Sequence, residues 1–324
     1  MAERLLAWMD ELQQRHGVLG FSFAVLKKYL DDGGGRYAAL ITYYGFLSVF
    51  PILLVAVSVV STVLANRQQL REDIVEALVP PALQDTVNTA LAAMPVSGLP
   101  LALGLVGLLL SGTGVTLSAY ETLNQLAGVP RRSRFGLFGR YARVLLMVVV
   151  VLVGGLSVAA LTVASGALPD VGELQRVAAG LATALVVFLL LLAAATLLVA
   201  RPVPLRTGWL PAALGALVVT LVLSLGTRLL APLVARSGPV YGSFASVAAI
   251  FTLLYLVRQA LLFAAEVAVV RQRRLWPRAL VTSRPTPADR AALTRLASVQ
   301  ERIPVQRIEV RFDRAVHDGS EADA

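Results

Sequence analysis

Six long apolar stretches constrain this chain more than any other feature: Ala38 to Ala65, Leu99 to Tyr120, Val144 to Leu168, Val177 to Ala200, Trp209 to Val234 and Ser243 to Val270. Each reaches or exceeds the ~20 residues that an α-helix needs to cross a hydrocarbon core about 30 Å thick. Inside lipid a segment satisfies its own backbone N–H and C=O groups only as a helix, so the runs predict an all-α, polytopic six-helix transmembrane bundle. A single soluble core is excluded on the same ground, because 57% of the residues are hydrophobic and 15% are charged, whereas an ordinary soluble domain carries about 25% charged residues. Pro51 and Pro211 fall inside spans one and five. A proline there frees a carbonyl and kinks the helix, which packed neighbours tolerate.

The net charge of +9 has its meaning in where the cations sit. Lys27, Lys28 and Arg36 precede span one, and Arg131, Arg132, Arg134, Arg140 and Arg143 lie between spans two and three. Arg201 and Arg206 separate spans four and five, and Arg271, Arg273, Arg274 and Arg278 follow span six. The alternate connections are poor in uncompensated positive charge: Arg67 and Arg71 meet Glu72, Asp73, Glu76 and Asp85, and Arg176 meets Asp170 and Glu173. Cytoplasmic loops carry the positive excess, so both termini are expected in the cytoplasm of a bacterial inner membrane. An odd number of spans would put one basic cluster on the wrong side. Glu3, Asp10 and Glu11 precede any apolar run, a layout unlike a cleaved leader, so the first span is expected to act as its own signal.

Three regions follow. Residues 1–36 form a cytoplasmic segment in which Val18, Phe21, Val25 and Tyr29 recur near helical spacing, as in an amphipathic helix lying on the membrane surface or packed on the bundle. Residues 37–270 form the six-span domain, with Leu70, Ile74 and Leu78, then Leu83, Val87, Leu91 and Met94, marking two short amphipathic helices on the outer side. Residues 271–324 read as a basic, largely disordered tail, with one short helix near Ala288 to Glu301 and weak strand alternation at Ile308, Val310 and Phe312.

Charges inside spans are costly and are candidate functional groups by default. Glu121, Arg228, Arg258 and Glu266 qualify. Arg258 and Glu266 share a helix face, separated by roughly 12 Å at about 1.5 Å per residue, too far for mutual contact. The four read either as an intramembrane polar track for an anionic group or as interhelical salt bridges, and arginine is the expected partner of Glu266. Span two carries a stripe of small residues, Gly104, Gly107, Ser111, Gly114 and Ser118, expected to seat a neighbouring helix closely. No enzyme signature is present. The chain has no cysteine, His16 and His317 sit near opposite ends, and no metal-binding, phosphate-cradling or nucleophile-elbow motif occurs. No catalytic residue, metal, cofactor or nucleic-acid partner is therefore expected. Membrane lipids are the expected partners, with anionic headgroups drawn to the basic segments at about 1 kcal/mol per cation.

One stretch and three short motifs carry a resemblance. Ala38-Ala39-Leu40-Ile41-Thr42-Tyr43-Tyr44 followed by Pro51, then Leu123-Asn124, Tyr241-Gly242-Ser243 and Ala265-Glu266, are similar in order and spacing to the YihY/BrkB family of bacterial membrane proteins. Where that family has Gly-Ala-Glu-x-Asn, this chain reads Ala264-Ala265-Glu266-Val267-Ala268 and lacks the asparagine. The resemblance implies a six-span bundle and a link to envelope integrity. It also brings an old ribonuclease label, now regarded as misassigned, that these residues do not support. The expected function is a transporter or lipid translocase for an anionic envelope component, the alternative a non-transporting scaffold for envelope assembly.

Overall fold

The computed structural model describes residues 2–63, 75–76, 79, 84–89, 98–166, 173–201, 203–235, 238–281 and 285–312. Its helices are α1 (Ala2–Arg15), α2 (Gly17–Asp31), α3 (Gly34–Val63), α4 (Gly98–Leu126), α5 (Leu137–Gly166), α6 (Glu173–Leu198), α7 (Leu205–Ala235), α8 (Gly238–Arg273) and α9 (Pro287–Ser298), with a 3-10 turn at Arg131–Ser133. Among the described residues there is no strand, and Ile308, Val310 and Phe312 form none. Five helices are long and apolar enough to cross a membrane, over Gly34–Ser58, Leu99–Leu126, Leu137–Val158, Val177–Leu198 and Phe244–Arg273. Helix α7 adds a shorter apolar stretch, Gly208–Leu223. The molecule is a multi-pass membrane protein, and its outward surface agrees. Leu110, Leu156 and Leu217 are each at least 65% exposed, a pattern that costs free energy in water and none in hydrocarbon.

The six long helices close into a ring in chain order, each packed on the next and α8 returning to α3. The seam of small residues explains its tightest joint, between α3 and α4. An added Cβ at Gly114 would lie 2.5 Å from the Tyr44 ring, one at Gly104 2.8 Å from Val55, and one at Gly107 3.0 Å from Pro51. Ser111 turns its hydroxyl back to the Gly107 carbonyl at 2.8 Å, and the Ser118 carbonyl accepts from Thr122. The stripe therefore acts as close backbone packing.

All four basic regions gather at one end of the ring, called here the basic end. Asn124, fully buried near the end of α4, donates to the Leu198 carbonyl and accepts from the Ala200 N–H, both at 2.8 Å, and so caps the end of α6. Helix α2 is packed on the bundle here. Ala24 and Val25 cluster with Val270 and Leu275 and Tyr29 stacks on Phe263 at 4.3 Å, while Val18, Leu26 and Leu30 on the other side of α2 are exposed.

The stretch expected as a largely disordered tail is, through residue 312, mostly docked against this end. Thr286 and Asp289 form a capping box that starts α9, satisfying donors that a helix start leaves free. Arg278 is completely buried between Asp31 and Asp289, each at 2.8 Å. The Arg131 and Arg132 N–H groups bond the carbonyls of Val299 and Glu301. The sequence misled because its few apolar residues suggest disorder, while the cohesion comes from buried ion pairs and backbone bonds. At the opposite end Leu70, Ile74, Leu78, Leu83, Leu91 and Met94 lie outside the described residues. Val87, in a helical stretch over 84–89, packs with Val57 and Val75.

Candidate functional site

The ring encloses a cavity of about 470 Å³, walled by residues from α3 through α8, where small side chains such as Ala194, Gly215, Ala264 and Ala268 alternate with leucines and valines such as Leu191, Val219 and Leu261. Arg201, Gln272 and Arg273 line it while also being exposed, so it opens at the basic end. Its walls are mostly apolar. Among the described residues, the ionisable ones on its surface are Arg201, Arg258 and Arg273, with no aspartate or glutamate.

Arg258 is the group that sets the chemistry. It lies about 22 Å along α8 from Arg273, at about 1.5 Å per residue, deep in the ring. Its guanidinium passes α3 where that helix has Gly45, with Nη2 3.8 Å from the point a Cβ would occupy. Its Nε is buried without a partner, and among the described residues nothing pairs with the guanidinium. An arginine this deep costs roughly 2.5–3.5 kcal/mol in a helix centre, a cost that an anion in the cavity would offset.

The other charges expected on a polar track are placed elsewhere. Glu266 is fully buried but turned away from the cavity. Its Oε2 lies 2.8 Å from the Lys28 ammonium of α2, and Lys28 also pairs with Asp32 and donates to the Leu126 carbonyl at 3.3 Å. The partner is thus a lysine from outside the ring, not the expected arginine. Burial pulls the Lys28 ammonium down, but the charges of Glu266 and Asp32 outweigh it and hold it above its ordinary value. Burial pushes the Asp32 carboxyl up against the pull of Lys28. Glu121 pairs with Arg134 at 2.6 Å and Arg140 at 3.6 Å at the basic end, also off the cavity. Arg228 lies on α7, and its side chain is outside the described residues. Among the described residues the expected ladder therefore does not form one track: Arg258 faces the cavity, and Glu121 and Glu266 are bridged.

Of the remaining motif residues, Tyr43, Tyr44, Pro51 and Asn124 lie off the cavity. Tyr43 and Tyr44 make an edge contact at 5.3 Å, Tyr44 and Pro51 seat the α4 seam, and Asn124 caps α6. Tyr241 and Gly242 fall in the first turns of α8, with their side-chain positions outside the described residues. Sequence reasoning missed Lys28, Asp32 and Asp289, and the role of Arg201 and Arg273 at the mouth. The one signal on offer was the i,i+4 spacing of Lys28 and Asp32 on α2.

Comparison with known proteins agrees with this architecture. The sequence model of the family described as Virulence factor BrkB matches residues 25–289. A stretch of 110 residues is 32% identical to Inner membrane protein YhjD of Escherichia coli (strain K12), covering 32% of this chain and 32% of that protein. No solved structure matches the chain.

Proposed function

The chain belongs to the virulence factor BrkB family, and from that premise we propose that it is an inner-membrane transporter or lipid translocase for an anionic envelope component. In this reading α7 also crosses the membrane, as the fifth of six spans, and the basic end, with both termini, faces the cytoplasm, in keeping with the positive-inside rule. An anionic amphiphile enters at Arg201 and Arg273, lays its apolar part along the cavity wall and brings its charge to Arg258. The single observation that carries the reading is the cavity lining, which among the described residues has apolar walls, three arginines and no acid. Such a lining disfavours cations and suits an anion with an apolar body, because apolar burial supplies affinity and the arginines supply specificity. The reading includes no reaction chemistry, metal, cofactor or nucleic acid.

The test is reconstitution in vesicles containing fluorescent anionic and zwitterionic lipids, scored for transfer between leaflets. Wild type should accelerate transfer of the anionic lipid at least tenfold over the zwitterionic one, and Arg258→Gln should abolish the acceleration while the protein stays folded. No acceleration of anionic lipid or solute flux by folded wild type would sink the proposal and leave a membrane scaffold as the reading.

A further inference from the structure

Three arginines from three separate segments converge at the mouth of the cavity. Arg201 comes from the α6–α7 connection, Arg273 from the last turn of α8 and Arg295 from the last turn of α9. Arg201 and Arg273 share the cavity lining, and Arg295 lines the small pocket next to it, where α9 meets α2 and α8. None of the three side chains has an ion-pair partner among the described residues. Asp31 and Asp32 share the small pocket with Arg295, but they are held by Arg278 and Lys28.

The convergence is imposed from outside. Helix α9 is held by Lys27 and Arg278 on Asp289 and by Arg132 on Glu301, and these anchors fix Arg295 next to two like charges. Burial, then the charges of Arg273 and Arg201, hold the Arg295 guanidinium below its ordinary value. Lys27, Lys28, Arg132, Arg134 and Arg278 at this end are each held by carboxylates of the protein. A carboxylate offers two oxygens and one charge, enough for one guanidinium fork. A phosphate monoester offers three terminal oxygens and close to two charges, enough to engage three.

We propose that Arg201, Arg273 and Arg295 form a phosphate-selective docking station at the mouth of the cavity, which receives a phosphate-bearing headgroup before it moves on toward Arg258. The inference rests on the transport reading above and narrows its substrate class from anionic to phosphorylated amphiphiles. It also gives the C-terminal segment a task, since α9 supplies one of the three ligands.

The test uses the full chain in detergent and three probes: dihexanoyl phosphatidic acid, inorganic phosphate and decanoate, with binding followed by native mass spectrometry. Wild type should bind phosphatidic acid at least tenfold more tightly than decanoate. Arg295→Gln and the pair Arg201→Gln/Arg273→Gln should each weaken phosphatidic acid binding about tenfold or more, at about 1.5–3 kcal/mol per charge-assisted bond, and weaken decanoate binding by a smaller factor. Arg295→Lys, which keeps the charge and loses the fork, should recover only part of the affinity and shows that loss is not misfolding. Inorganic phosphate competing as tightly as the lipid would support the station with free phosphate as its source, and weak competition would support it with a lipid headgroup. Equal wild-type affinity for phosphatidic acid and decanoate, or undiminished phosphatidic acid binding in the Gln variants, would overturn the station. The two proposals fail separately: phosphatidic acid binding that the station variants lose, with no lipid transfer or solute flux by folded wild type, would remove the transport reading and leave the docking site standing.

Discussion

Arg258 and Glu266 lie eight residues apart on α8, yet they belong to regions built on opposite rules. Glu266 is part of a clamp at the basic end, where buried charges are matched: Lys28 to Glu266 and Asp32, Arg278 to Asp31 and Asp289, Lys27 to Asp289. Arg258 faces a cavity with no acid on its walls among the described residues. The clamp has its counter-charges built in and holds α2 and α9 on the ring, whereas the cavity leaves its charge for something that comes and goes. Intramembrane charge alone therefore does not mark function. What separates the two residues is whether the protein itself supplies the opposite charge.

Four substitutions can break or sharpen that contrast. Arg278→Met should have the largest effect on stability, a loss of about 3–5 kcal/mol, because removing one partner strands buried carboxylates. Chemical unfolding in detergent micelles measures it, and a loss under about 1 kcal/mol would mean that the clamp is not what holds α9. Lys28→Met comes next, at about 3 kcal/mol, since it leaves Glu266 and Asp32 facing each other. Glu266→Gln should cost far less, because the Lys28–Asp32 pair survives it, and should keep lipid transfer near wild type. Glu266→Ala, which also removes packing, should fall between the two. Transfer lost in Glu266→Gln at normal stability would move Glu266 out of the clamp and into the transport machinery.

Gly114→Ala tests the seam rather than either charge. Its new Cβ would meet the Tyr44 ring at 2.5 Å, and overpacking of this kind costs about 1–3 kcal/mol. Arg258→Gln should be the one substitution that does not destabilise, with a gain of up to about 3 kcal/mol, since it removes an unpartnered charge whose burial costs roughly 2.5–3.5 kcal/mol. The same variant should lose lipid transfer, so stability and function part at Arg258 and move together at Arg278.

The clamp also sets a pH window. Burial pushes the Asp289 carboxyl up, but the Ala279 N–H and the Lys27, Arg278 and Thr286 donors outweigh it and hold it well below the usual carboxylate range. A depressed carboxyl adds stability that is complete above its unfolded value of about 3.9 and is lost as pH falls through the folded one. Lys28, raised in the folded state, adds stability that is complete below its unfolded value of about 10.4 and is lost as pH rises through the folded one. Asp32, raised as well, works against the clamp as pH climbs through its own range. Unfolding midpoints should therefore fall in strong acid, as Asp289 takes up its proton. In Arg278→Met the acid limb should begin at higher pH, because Asp289 loses one of the donors that hold it down.

The sequence by itself determined that the chain is helical, membrane-embedded and basic at alternate connections, because hydrophobic length, backbone hydrogen-bonding in lipid and charge placement are properties of each segment taken alone. It also marked Arg258, Glu266 and the small-residue stripe of α4, since burial cost and side-chain size need no knowledge of neighbours. The stripe's partners at Tyr44, Pro51 and Val55, the pairing of Glu266 with Lys28 of α2, and the docking of α9 through Arg278 and Asp289 depend on residues far apart in the chain. Helical periodicity says which residues share a face and is silent on what that face meets. Only the closing of the ring put Glu266 against a cation and Arg258 against an empty wall, because the angle at which one helix packs on another is decided by all the side chains at the contact together.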